Sequence, residues 1–300
     1  MGISQYIKEI GRGPRGSKPL TREQAADLFG QLLDGNVTDL EIGAFCLAMR
    51  IKGETPEEMC GFLDAAHSRM ALFPASDRPV IVLPSYNGAR KLPVLTPLLA
   101  LLLAREGLPV LLHGMRTEAR RTLASDVLLA LGVPALTAPE KIATGSVAHI
   151  ETGYLHAALA RLLKVREVVG LRNAGHSIVK LMNPCAGPAV VVTSYTHPEY
   201  YDMLQATFGA LHMTALLSRG LEGEVATDPR RTPRYDAFVA GVHQLLQEQQ
   251  PGTAADVPGL PTEIDIDTTA RYTQDVLDGR LPVPPALAQQ VEHILHLAAQ

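Results

Sequence analysis

The rhythm of hydrophobic positions along this 300-residue chain changes near residue 75. Before that point apolar side chains recur at helical spacing. Leu28, Phe29, Leu32 and Leu33 make one stripe, Leu40, Ile42, Phe45, Cys46 and Met49 a second, and Met59, Phe62, Leu63 and Ala66 a third. Each stripe follows a helix-start signal. Thr21 with Gln24, Thr38 with Glu41 and Thr55 with Glu58 have capping-box spacing, and Pro56 stands at the first helical position of the third. Gly35 and Gly53 fall where C-caps belong. The pattern predicts three helices in the first seventy residues.

Beyond residue 80, short apolar runs alternate with helical patterns. Strands are expected over 80–83, 109–112, 147–150, 190–194 and 214–217, giving a parallel sheet covered on both faces. Residues 156–168 read as a helix. The irregular stretch from there to Pro184 is long enough to return and pack on the N-terminal helices. A Pro/Gly/Ala linker is expected over 249–261, followed by an amphipathic helix after Pro284 and Pro285 carrying Leu287, Val291, Ile294, Leu295 and Leu297. The fold class is therefore α/β. A small helical subdomain, residues 1–75 with part of 165–185, packs beside a larger, mainly parallel-sheet domain over 76–300.

The first strand focuses the functional question. Its apolar run stops at Pro84 and opens a loop, Ser85-Tyr86-Asn87-Gly88, followed by the adjacent cations Arg90 and Lys91 and a helix expected over about 93–106. Ligands of parallel sheets bind where strands give way to loops before helices, because amides there attract anions. The loop after the second strand adds Arg116, Arg120 and Arg121, whose guanidinium forks suit phosphate. Two successive post-strand loops carrying cations favour a convergent set over isolated surface charges, although Arg120 and Arg121 singly read as a solvated helix start. His113 reads first as a packing residue. The stretch 170–184 places Arg172, Asn173, His176, Ser177, Lys180 and Asn183 in an apolar region, as a pocket lining or a polar connector. Tyr195, His197, Tyr200 and Tyr201 follow the fourth strand as packing residues or as faces on which bases stack. Glu222 and Glu224 are weak magnesium candidates. Arg230, Arg231 and Arg234 sit close by in a mixed-charge loop.

Composition narrows the choices. With 46% hydrophobic and 19% charged residues the chain can bury a large core, and its net charge of −4 gives no global attraction to polyanions. A nucleic-acid partner would need a segregated basic surface. Three cysteines without a close pair argue against a disulfide framework and a zinc site and fit a reducing cytoplasm. No membrane segment is expected, since the longest apolar run, 94–104, is too short to span a bilayer, and the start lacks the apolar core of a signal peptide. GxSxG, P-loop, HExxH and CxxC patterns are absent, so the corresponding hydrolase and nucleotidase readings lack support.

Several motifs resemble one known family. The stretch LTREQAADLFGQLLDGNVTDLEIGAFCLAMRIKGETPEE is similar to the N-terminal subdomain shared by anthranilate phosphoribosyltransferases and class II nucleoside phosphorylases, glycosyltransferase family 3. LHGMRTEARRTLASDVLLALGV resembles the family's KHGNRS…SADVLEALGV, GLRN…LMNP its GIRT…LLNP, and YTHPEYYDML its YDPELL turn. These matches, collinear over residues 20–225, imply the family fold and a dimer through the helical subdomain. Arg172 matches the arginine that contacts anthranilate in the family.

The departures bear on function. The family's diphosphate loop, GTGGD, needs glycines so that backbone can approach phosphates. Here Pro84, Ser85, Tyr86, Asn87 and Gly88 stand in that place, Met115 replaces the Asn of HGN, and only Glu222 and Glu224 approximate the magnesium-binding Asp-Glu pair. The degenerate substrate pocket implied comprises Ser85, Tyr86, Asn87, Gly88, His113, Arg172, Asn173 and His176. The RGxEGE…DPRR segment resembles the YbiB-type relatives, a group associated with nucleic-acid binding by a dimer without transferase activity. That resemblance implies a basic groove lined by Arg90, Lys91, Arg116, Arg120, Arg121, Arg172 and Lys180. The expectation is a cytoplasmic, homodimeric, non-catalytic binder of nucleic acid, DNA ahead of RNA, with no cofactor. The alternative is a phosphoribosyltransferase using phosphoribosyl diphosphate, an aromatic or nitrogenous acceptor and magnesium.

Overall fold

A computed structural model describes residues 2–13, 15–254 and 256–300. Ala255, within the expected linker, and Met1, in the amphipathic start, lie outside the described residues, as does Pro14. The chain begins with α1 (Ser4–Ile10), α2 (Arg22–Leu33), α3 (Asp39–Lys52) and α4 (Pro56–His67). All three capping boxes form at α2, α3 and α4. Phe29, Phe45 and Phe62 meet at the centre of this layer with ring centroids 5.0–6.2 Å apart. Glu58 does more than cap. Its fully buried carboxylate accepts from Leu20 N at 2.9 Å, Thr55 N at 2.9 Å and Lys52 Nζ at 2.6 Å, tying the entry to α2, the end of α3 and the start of α4 together.

The rest of the chain runs β1 (Val80–Ser85), α5 (Thr96–Arg105), β2 (Val110–Gly114), α6 (Ala124–Ala130), β3 (Ala135–Leu136), β4 (Val147–Glu151), α7 (Thr152–Leu155), α8 (Ala157–Val169), α9 (Gly175–Ile178), β5 (Ala189–Tyr195), α10 (Glu199–Ala210), β6 (Ala215–Arg219), β7 (Tyr235–Val239), β8 (Val242–Gln247), α11 (Ile266–Leu277) and α12 (Pro285–Ala298). The sheet order is β3-β4-β2-β1-β5-β6-β7-β8, parallel from β3 to β6 and antiparallel at β7 and β8. Alternate residues of β1 divide the core. Val80 and Val82 face the cluster shared with the helical layer, while Ile81 and Leu83 face α5, α11 and α12. The stretch 157–185 crosses back to the N-terminal layer, α8 touching α2 and α9 touching α4.

Three local expectations change. The first post-strand helix begins at Thr96 instead of near Pro93, with Pro97 in its first turn. The sheet is mainly parallel, as expected, but an antiparallel hairpin that the pattern did not announce, β7–β8, closes one edge. Its two-residue turn, Ala240-Gly241, has φ of 47° and 82°, the left-handed pair that matches strand twist in a tight hairpin. Arg120 and Arg121 lie in the loop before α6, which starts only at Ala124.

The chain visits β2 and β4 on one side of β1 and then returns to place β5 on the other. The reversal makes a crevice between the C-terminal ends of β1 and β5, where open α/β sheets receive ligands.

Candidate functional site

At the C-terminal end of β1 the loop amides point inward, the arrangement that binds anions in parallel sheets. Here the anion is a side chain of the same protein. Glu224, 3% exposed, accepts from the backbone N–H of Asn87 and of Gly88, both at 2.8 Å, from Ser85 Oγ at 2.5 Å and from Thr96 Oγ1 at 3.0 Å. Four donors thus converge on one carboxylate. Glu222 repeats the motif one step on, its Oε2 accepting from Arg90 N at 2.8 Å and Lys91 N at 2.9 Å. Both acids are carried by the turn after β6, which Gly223 allows. Its φ is 87°, and a Cβ there would collide with the Asn87 side-chain amide.

Of the two magnesium candidates, Glu224 commits both carboxylate oxygens to loop donors, whereas Glu222 commits only Oε2 and leaves Oε1 with no hydrogen-bond partner among the described residues beyond its 3.5 Å ion pair with Arg90.

Tyr86 turns the other way and fills the interior. Its hydroxyl lies 2.8 Å from His113 Nδ1 and 2.8 Å from Thr152 Oγ1. His113 is fully enclosed at the end of β2, and burial depresses its pKa to about 3, so the ring is neutral and serves packing. Gly88, with φ of 66°, lets the loop press against the next one: a Cβ there would come within 2.6 Å of Thr122 O.

Around this loop the expected cations fall into two groups. Arg121 Nε and Arg166 NH1 each donate to Glu118 at 2.9 Å, and Arg172 NH2 reaches the same carboxylate at 3.2 Å and Asn87 Oδ1 at 3.0 Å. Burial opposes the Glu118 charge, but Arg166 and Arg121 outweigh it and hold its pKa below the usual range. Burial lowers the pKa of Arg172, with Arg166 adding to the shift. Lys180 departs from the groove expectation. It is set inward, donates to Gly223 O at 3.0 Å, and burial lowers its pKa to about 8. The outer group is Arg90, Lys91, Arg116 and Arg120, all exposed. Arg116 pairs with Asp126 at 2.5 Å and Arg90 with Glu222 at 3.5 Å, while Arg120 makes no ion pair among the described residues. Seven cations, counting Arg166 and leaving Arg120 aside, stand in this region beside four carboxylates, so the local excess is positive on an acidic chain.

Beside Arg172 and Lys180 opens a cleft of about 630 Å³. Its walls come from the α3–α4 corner, α9 and the turn from β5 into α10, which brings in Asn173, His176, Ser177, Tyr195, His197 and Tyr200. Burial lowers the His176 pKa to about 4, so it is neutral near pH 7. Asn173 stabilises the wall instead of facing the cleft alone: its amide donates to Leu162 O at 2.8 Å and its Oδ1 accepts from Gly175 N at 3.0 Å. Sequence reasoning missed Glu118, Arg166 and Ser194. Glu118 carried a usable signal, an acid flanked by arginines in a post-strand loop; Arg166 and Ser194 carried none.

Known proteins show the family and the fold. Residues 4–70 match the family described as "Glycosyl transferase family, helical bundle domain". The protein called "Uncharacterized protein YbiB" of Escherichia coli is 37% identical over 298 residues, covering 97% of this chain and 92% of its own. The anthranilate phosphoribosyltransferase of Persephonella marina is 28% identical, covering 93% and 83%. Among solved structures, that of anthranilate phosphoribosyltransferase from Thermus thermophilus superposes with a TM-score of 0.73 at 22% identity, over 95% of this chain and 85% of that one. The Saccharomyces cerevisiae enzyme in complex with PRPP and Mg gives 0.69 at 14% identity, over 99% and 88%. At those identities the structural likeness speaks to fold alone.

Proposed function

This chain belongs to the anthranilate phosphoribosyltransferase-like glycosyltransferase family 3, in its YbiB-type branch, and on that premise we propose that it binds nucleic acid, DNA ahead of RNA, without glycosyl transfer. The observation that carries the reading is the Glu224 carboxylate seated on the Asn87 and Gly88 amides. A phosphate oxygen and a carboxylate oxygen compete for the same donors, and an internal carboxylate is present at no translational entropy cost. A sugar diphosphate would have to expel Glu224 into a buried region, a costly displacement. Phosphates are left the outer surface, where Arg90, Lys91, Arg116 and Arg120 are exposed. Contacts of that kind position a strand without reading its sequence.

The proposal includes a homodimer through the helical subdomain. Helix α3 leaves Leu40, Leu47 and Ile51 exposed at 83%, 47% and 59%, on one stripe spaced by seven and four residues. A two-fold pairing of such faces would set two basic surfaces on one particle and raise affinity for long strands through effective concentration.

Fluorescence anisotropy with labelled single-stranded and duplex DNA over a salt series tests this, run beside calorimetry with phosphoribosyl diphosphate and magnesium. The expected outcome is affinity that falls steeply with salt and no heat from the sugar diphosphate. Saturable, magnesium-dependent heat together with salt-insensitive or absent DNA binding would return the case to a transferase.

A further inference from the structure

Resting on the nucleic-acid reading, we propose that Glu118 is a displaceable counter-ion that regulates phosphate binding: it holds three guanidinium groups while the protein is free and yields them to a backbone phosphate of the bound strand. Arg121 Nε and Arg166 Nη1 donate to it at 2.9 Å, and Arg172 Nη2 at 3.2 Å. Three positive charges against one negative leave an excess that attracts a further anion. Burial and, next, the charge of Arg166 lower the Arg172 pKa, and Glu118 only partly offsets them.

The arginines keep donors in reserve. Arg121 Nη2, Arg166 Nε and Nη2, and Arg172 Nε and Nη1 have no hydrogen-bond partner among the described residues, and none of these atoms is sealed from solvent. The three side chains are 12%, 24% and 35% exposed. A phosphodiester presents its oxygens to such forks as a carboxylate does, so the two anions compete for one set of donors.

Two internal carboxylates on this surface differ in how they are held. Glu224 is 3% exposed and rests on two backbone amides. The Glu118 side chain is 27% exposed, all its donors are side chains, and residues 116–121 around it make no backbone–backbone hydrogen bond among the described residues. That segment is held through side chains, among them Thr117 Oγ1 on Tyr86 O and Arg116 Nη1 on Arg121 O, both at 2.9 Å. Segments held in this way open at a small fraction of the cost of global unfolding. The outer cations Arg116 and Arg120 lie on the same segment, so a strand drawn to them brings its next phosphate to the acid's seat at high effective concentration.

The test uses fluorescence anisotropy with labelled duplex DNA over a salt series, on wild type, Glu118→Gln, Arg166→Gln and the double variant. Glu118→Gln keeps the size of the side chain and removes its charge. It is expected to bind at least about threefold tighter than wild type at low salt, with a slope of log affinity against log salt steeper by up to about 0.9. Arg166→Gln, although outside the outer group, should weaken binding and flatten the slope, and in the double variant most of the gain from Glu118→Gln should vanish. Equal or weaker DNA binding by Glu118→Gln, in a protein that melts cooperatively, overturns the counter-ion and leaves the outer phosphate surface standing. If Glu118→Gln does not fold, Arg166→Gln decides alone, and unchanged affinity and slope overturn the proposal. Thermal melting with inorganic phosphate identifies the source of the anion: added stabilisation of Glu118→Gln by phosphate with unchanged DNA affinity makes a free anion the occupant and overturns the proposal. Failure of every protein in the set to bind DNA overturns the nucleic-acid reading and this inference together.

Discussion

Glu224 is the single acceptor for four donors from the loop after β1 and the start of α5. Replacing it with Ala leaves the Asn87 and Gly88 amides and the Ser85 and Thr96 hydroxyls without their acceptor in a region closed to solvent. The expected cost is about 2–4 kcal/mol, read from the urea midpoint at constant m-value. A variant as stable as wild type would mean that water already serves those donors. None of this was legible along the chain, because the donors lie 128–139 residues upstream of the acid they hold. Sequence reading could register that loop glycines were missing. It could not register that a carboxylate had taken the vacated role.

The buried histidines set a pH dependence at the same scale. His113 and His176 titrate near 3 and 4 in the folded protein, against an ordinary value near 6.5, because burial disfavours the imidazolium. Below pH 6.5 the unfolded chain takes up protons that the folded chain refuses. Stability should therefore be independent of these groups above pH 6.5 and fall by on the order of a few kcal/mol as pH drops from 6.5 toward 3. Urea denaturation at stepped pH measures it, and His176→Gln should flatten the part of the decline between pH 6.5 and 4.

Among the elements, those with local signals were readable. Capping boxes and hydrophobic stripes placed α2, α3 and α4, since threonine and the acid or amide three residues on act within one turn. The hairpin β7–β8 was missed because its turn, Ala240-Gly241, lacks the Asn or Asp that usually announces left-handed backbone, although the apolar runs on both sides were visible. Glu58 joins a local role to a distant one. The capping box was evident, whereas its hold on Leu20 N and Lys52 is tertiary. Glu58→Ala should cost roughly 3–5 kcal/mol by uncovering a partly buried ammonium, well above the ~1 kcal/mol expected for Thr55→Ala. Similar costs for the two would confine Glu58 to its cap. On the exposed stripe of α3, Leu47→Glu with Ile51→Glu should shift sedimentation from dimer to monomer without lowering the melting temperature appreciably. An unchanged sedimentation coefficient would place any self-association elsewhere.

For the whole molecule, the decisive feature is how charge is distributed, which a net charge of −4 conceals. The fold gathers cations from the loops after β1 and β2, from α8 and from the stretch around α9 at the crevice between β1 and β5. It also sorts them. Arg121, Arg166, Arg172 and Lys180 are partly buried and hold loops in place, while Arg90, Lys91, Arg116 and Arg120 remain outside. The chain order alone could not divide the set in this way, since Arg120 and Arg121 are neighbours that point to different tasks. The salt dependence of DNA affinity, compared between wild type and the Arg90→Ala, Lys91→Ala, Arg120→Ala triple variant, tests this division most directly. Wild type should give a clearly negative slope of log affinity against log salt, and the variant a slope shallower by up to about 2.7, since each duplex phosphate left without its cation removes about 0.9. Identical slopes for the two proteins, or binding indifferent to salt in both, would contradict it.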